Sequence, residues 1–244
     1  MDLSHAKEYE APFKHFVIDN FLKADLAHTL SKQFPSHSSK KWFAYDNPLE
    51  RKKAIQTWGS FPPETYQLFL SLCCEKFTDK LRKLTGDECL KPDYGLHGAG
   101  WHMSKRGDHL NIHQDYSIHP MANMQRKWNI IIYLTPNWKK EWGGNLEFWS
   151  HNPELNQAHE ISSSIDCVFN RAVLFDTTQN SWHGFPESIN CPNGIYRKSI
   201  AMYYLSPIAD TAVDRPRALY SPRKDQINND DIIEFIKKRA EKSL

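Results

Sequence analysis

The stretch LNIHQDYS, residues 110–117, sets His113 and Asp115 two positions apart. In a β-strand that spacing puts both side chains on one face. An imidazole and a carboxylate aimed at one point are two of the three ligands of a 2-His-1-carboxylate facial triad, which leaves half of a metal's coordination sphere open. The same pair also suits an ordinary strand with two solvated polar groups, and twelve histidines make a chance His-x-Asp easy. A triad needs a second histidine from a later strand. LFDTTQNSWHGFPE supplies His183, just beyond the apolar run 172–175. A structural histidine with local hydrogen bonds is the competing reading.

Further on, IYRKSIAMYYLSP places Arg197 and Ser199 on one face of a strand whose continuation, 200–205, is mostly apolar. An arginine entering a buried strand needs an anion. A guanidinium binds a carboxylate bidentately, and a neighbouring hydroxyl adds a hydrogen bond. The anion is either a ligand or a protein carboxylate such as Asp176 or Glu187.

The elements that must position these residues form two blocks. Residues 1–93 read as a helical support with a first strand at 16–19. Leu22, Leu26 and Leu30 mark one helix. A longer helix runs from Pro62-Pro63 to a stop at Gly86, with a stripe through Phe69, Leu72, Phe77, Leu81 and Leu84. The polar stretch 33–53 reads as a loop. From 94 to 207 the chain turns to short β-rich runs, with strands expected at 94–103, 110–115, 128–134, 145–149, 167–175 and 196–205. Many short strands without alternating helices point to an antiparallel sandwich or barrel. Residues 208–244 form an extension with a short helix, in which Ile232, Ile233, Phe235 and Ile236 give an apolar face and the charges match the helix dipole. The whole is read as one domain.

Composition narrows the function. Over 244 residues the formal net charge is +2, which gives no footing for a nucleic-acid or membrane surface. Five cysteines follow no zinc-finger or C-x-x-C spacing, and no apolar run is long enough to span a bilayer. The expected setting is cytoplasmic.

Taken in order, the motifs carry a resemblance. They are His113-x-Asp115, Tyr133-Leu134, Trp142-Gly143-Gly144-x-Leu146, Asn170-Arg171-x-x-x-Phe175, His183-Gly184 and Arg197-x-Ser199. Together, over about 13–207, they resemble the iron(II)/2-oxoglutarate dioxygenases, in particular the prolyl-4-hydroxylase-like branch. The resemblance implies a mainly β (α+β) fold: a double-stranded β-helix, or jelly roll, with flanking N-terminal helices and a short C-terminal helix. It implies Fe(II) held by His113, Asp115 and His183, with 2-oxoglutarate bound by Arg197, Ser199 and Tyr133. A barrel-filling aromatic is the other reading of Tyr133. O2 is the co-reactant and ascorbate a candidate reductant. An arginine at 197 marks the subset that does not use lysine there. A carboxylate at 115 favours hydroxylation over halogenation.

The implied substrate is a proline in a peptide or protein, or a small amino-acid, sugar or natural-product intermediate. Trp101, Tyr116 and Trp182 are candidate substrate contacts. His102, His109 and Asn111 are further candidates for the pocket mouth and loop 117–125 is a candidate lid, with packing or a solvated loop as the competing reading of each. A non-enzymatic jelly-roll binding protein and a zinc-dependent hydrolase with the same ligands are the competing classes. Oligomeric state stays open.

Overall fold

The computed structural model describes residues 1–241; the last three residues of the expected C-terminal extension lie outside them. The chain is mainly β. Among the described residues fourteen strands run as β1 (Lys7–Tyr9), β2 (His15–Ile18), β3 (Phe43–Asn47), β4 (Glu50–Ile55), β5 (Lys91–Pro92), β6 (Gly100–Ser104), β7 (His109–Gln114), β8 (Gln125–Tyr133), β9 (Leu146–Asn152), β10 (Gln157–Ile165), β11 (Ala172–Asp176), β12 (Trp182–Phe185), β13 (Arg197–Ser206) and β14 (Leu219–Tyr220). Among the described residues four α-helices accompany them: α1 (Ala24–Gln33), α2 (Pro63–Cys73), α3 (Glu75–Thr85) and α4 (Asp230–Glu241). Among the described residues no helix is long and apolar enough to cross a membrane.

The main strand order is β1-β2-β11-β8-β13-β6-β4-β7-β12-β9-β10, all antiparallel. β9 and β11 are far apart in that order, yet the Phe148 and Phe175 rings lie 5.3 Å apart. The sheet therefore curls until its two halves face each other. Period-two alternation divides the apolar residues between the two sides. Leu174, Ile130, Ile132, Ile200 and Met202 join one large core with α1, α2 and α3. Val173, Phe175, Tyr133, Leu146 and Phe148 line the interior of the curl.

Several expectations need correction. The stretch read as a loop contains the β3–β4 hairpin. Its turn is set by Asn47, whose Oδ1 accepts the Leu49 and Glu50 amides. β3 is largely exposed and carries no buried apolar stripe, although β4 bridges the two halves of the curl through β6 and β7. The single long helix is two, broken at Cys74, whose ψ of 149° is extended. Leu72 and Phe77 are five residues apart, out of phase for one continuous helix, and the break returns both to the core. Gly86 does stop α3, in the left-handed region at φ 79°. Residues 94–99 are turns, and β6 begins only at Gly100. β10 is a mostly exposed partner of β9 that lacks an apolar stripe. α4 has the expected charge polarity, but only Ile236 of its apolar residues is buried and Phe235 is exposed.

Candidate metal centre

β7 and β12 are antiparallel neighbours, and their register sets His183 directly opposite His113. Asp115 follows the last residue of β7. The rings of the two histidines lie 4.4 Å apart. Asp115 Oδ1 is 3.6 Å from His113 Nε2, and Oδ2 is 3.9 Å from His183 Nε2. All three side chains are buried, and their ligand atoms lie within 4.8 Å of one another.

The tautomers suit a metal. His113 Nδ1 lies 3.0 Å from the Asn111 carbonyl and His183 Nδ1 lies 2.8 Å from the Ser181 carbonyl. A carbonyl only accepts, so each Nδ1 carries the proton and each Nε2 presents a lone pair to the centre. Burial, and then His113, push the His183 imidazole down to about 4, which keeps that lone pair free. Burial alone would raise the Asp115 carboxyl. His113, His183 and Arg126 outweigh it and hold the group well below the usual carboxylate range.

A second cluster of the same residue types shows the contrast. Asp93, His97 and His119 also converge within 4.8 Å. There His119 Nδ1 accepts the Met121 and Ala122 amides, at 3.2 and 3.0 Å. Its proton therefore sits on Nε2, facing His97 Nδ1 at 3.1 Å and Asp93 Oδ1 at 3.3 Å. The arrangement is a satisfied hydrogen-bond cluster that ties loop 117–125 to the Asp93 turn.

Arg197 is buried at the start of β13, on the same face as Ser199, which is paired in register with Tyr133 of β8. Its Nε donates to the Gly144 carbonyl at 2.7 Å and lies 3.3 Å from Cys167 Sγ; Nη2 is 3.5 Å from the Tyr133 hydroxyl. Among the described residues no carboxylate comes within ion-pair distance of it. Asp176 pairs instead with Lys127 at 2.8 Å. Gly144, at φ 73°, lets the Arg197 stem pass: a Cβ there would stand 3.0 Å from Arg197 Cδ. Asn170, in the neighbouring motif, is structural. Its amide bonds both main-chain groups of Leu22.

Two expected substrate contacts are overturned. Trp101 is fully buried on the helical side of β6, with its ring 5.0 Å from Phe34 and 5.1 Å from Phe61. Adjacent strand residues face opposite ways, so its neighbour His102 is the one turned inward. His102 is close enough to both Arg197 and Asp115 for their charges to act on it. Trp182 likewise points away from the side taken by His183, fully buried, and bonds His151 at 3.0 Å. Asn111 and His109 also leave the mouth: Asn111 bonds Ser221 and Gln226, and His109 lies 3.2 Å from the Pro48 carbonyl. Tyr116 stays beside the centre, half-buried, stacked 3.4 Å from the Arg126 guanidinium, whose other face meets Tyr203 at 3.7 Å. Tyr203 and Arg126 escaped the sequence reading. Tyr203 was within reach of it, since it shares the period-two face of Arg197 and Ser199.

Residues 99–205 match the 2OG-Fe(II) oxygenase superfamily. The chain is 24% identical over 212 residues to mouse prolyl 3-hydroxylase OGFOD1, a match covering 86% of this chain but 35% of that protein. Among solved structures, a Pseudomonas putida prolyl-4-hydroxylase superposes with a TM-score of 0.55 at 14% identity, over 80% of this chain and 93% of the other. A Trichoplax adhaerens prolyl hydroxylase, solved with a hypoxia-inducible-factor degradation-domain peptide, gives 0.52 at 18% identity over 79% and 83%. These likenesses establish the jelly-roll fold.

Proposed function

From the match of residues 99–205 to the 2OG-Fe(II) oxygenase superfamily, we propose that the chain is a member of it that hydroxylates a prolyl residue in a peptide or protein, using Fe(II), O2 and 2-oxoglutarate. His113, Asp115 and His183 would hold the iron. When bound, iron and 2-oxoglutarate would supply the oxidising chemistry: 2-oxoglutarate loses CO2 and takes one oxygen atom of O2 to become succinate, and the other oxygen atom enters a substrate C–H bond. The protein's own residues orient and exclude. Arg197 binds the distal carboxylate of 2-oxoglutarate, with the Tyr133 and Ser199 hydroxyls beside it. Tyr203 and Arg126 fix Asp115, and Tyr116 forms part of the substrate mouth. Ascorbate is the proposed reductant. A cytoplasmic setting fits five free cysteines.

The observation that carries this reading is Arg197. A buried guanidinium without a carboxylate partner is costly unless an anion joins it. Neither a zinc hydrolase nor a non-catalytic binding protein requires one. The prolyl substrate rests on the likeness to the mouse prolyl 3-hydroxylase. The test is Fe(II)-dependent conversion of 2-oxoglutarate to succinate with a panel of proline-containing peptides and free small molecules, scored by mass for one added oxygen. Succinate formation lost in His183→Ala and a hydroxylated peptide are expected. Absence of succinate formation overturns the cofactor assignment, and oxidation confined to free small molecules overturns the prolyl substrate.

A further inference from the structure

The segment beyond Pro207 lies outside the matched residues, yet it is bonded to the strand that carries His113 and to Asp115 just after it. β4 pairs with β7 only at its start, Glu50 opposite Leu110 and Arg51 opposite His109. At the metal-facing end β14 occupies that edge, with Tyr220 opposite His113 and Leu219 opposite Gln114. The Ser221 amide adds a bond to the Ile112 carbonyl at 2.8 Å. Asp115 has left the ladder, but its carbonyl accepts Arg215 Nε at 2.6 Å. Ser117 and Arg215 exchange two further bonds. The far end is anchored by Gln226 on Asn111 and by Arg239 of α4 on the buried Glu50.

Side chains follow the same pattern. The Tyr220 ring is stacked on His113, 5.2 Å between centroids and 22° between planes. His183 lies against the same imidazole. A single Nδ1 hydrogen bond leaves rotation of an imidazole loosely defined, because its terminal torsion is broad. A ring stacked on it narrows that freedom.

We propose that Arg215 and Tyr220 are positioning residues of the metal centre, the first fixing the main chain at Asp115 and the second the plane of the His113 ring. The proposal rests on the metal-binding reading of His113, Asp115 and His183. The test is Co(II) titration of the metal-free protein, followed by calorimetry and visible absorption, with melting temperatures of the metal-free forms measured alongside. Tyr220→Leu and Arg215→Met should each weaken Co(II) binding about tenfold or more, the scale of groups that orient metal ligands, and alter the Co(II) bands. Tyr220→Phe, which keeps the stacked ring, should restore both. If Tyr220→Leu does not fold, Arg215→Met reads the same quantities. Wild-type Co(II) affinity in both variants, with only the melting temperature lowered, would make the segment a structural brace and overturn the proposal. His113→Ala serves as the reference. Loss of binding there, with none in the tail variants, sinks this inference alone; unchanged binding there sinks the metal reading too.

Discussion

The Tyr203 hydroxyl donates to Asp115 Oδ2 at 2.8 Å, while Oδ1 faces His113 Nε2 at 3.6 Å. The two carboxylate oxygens are therefore unequal: one is engaged by β13 and the other is turned to the centre. Tyr203→Phe keeps the ring against Arg126 but releases Oδ2. We expect metal affinity to fall about tenfold with loss of only about 1–2 kcal/mol of folding stability. Mn(II) titration and urea unfolding of the same variant separate the two. Undiminished metal affinity would mean that Tyr203 does not orient the carboxylate.

Arg197 should trade stability for binding. Its guanidinium is buried with a carbonyl, a thiol and a phenol as neighbours and no carboxylate. Arg197→Met removes a desolvated charge and retains much of the volume. The cosubstrate-free variant should be as stable as wild type or more so, as found for other buried charges replaced by apolar groups. Added 2-oxoglutarate should raise the melting temperature of the wild type and leave that of the variant unmoved. A variant that is strongly destabilised without ligand would show that Arg197 is a structural residue.

Much of this site was legible because ligand and anchor residues obey simple spacing. His113 and Asp115, and Arg197 and Ser199, each sit one strand period apart. Those pairs, with the order of motifs between them, carry the resemblance that implies the jelly roll. The illegible parts depend on which face looks inward. Trp101 and His102 are neighbours, and the sequence favoured the tryptophan, whereas packing against Phe34 and Phe61 turns it to the helices. β3 and β10 are mostly exposed and leave even Phe43 and Ile161 facing solvent, so no buried apolar alternation announces them. The role of Tyr220 depends on a return of the chain across more than a hundred residues, which no local pattern records.

Gly184 gives the second histidine motif a steric reason. β12 passes so close to β7 that a Cβ at this position would stand 2.7 Å from the Leu110 carbonyl oxygen and 2.8 Å from that of Asn111. Both are backbone atoms and cannot swing aside. Gly184→Ala must push β12 away from β7 and so separate His183 from His113. We expect a loss of about 1–3 kcal/mol, typical of overpacking, together with weakened metal binding. Thermal unfolding and metal titration check it; a variant with wild-type values in both would refute the close approach.

The metal-free protein should lose stability in mild acid, through buried imidazoles outside the triad as well as through His183. Burial lowers His15 and His109, and burial with Lys52 and Arg197 pushes His102 down to about 3. In the unfolded chain each titrates near its ordinary value of about 6.5. Between that value and the depressed ones the unfolded chain binds protons that the folded chain refuses, so stability falls as the pH falls. Above about 7 all three are neutral in both states, and their contribution is constant. Melting temperatures of the metal-free protein should be flat from pH 7 to 8 on their account and decline steadily below about 6.5. His102→Gln should shallow that decline. An unchanged slope in His102→Gln would mean that this ring accepts a proton in the folded protein, and that the interior beside Arg197 and Asp115 is better solvated than its packing implies.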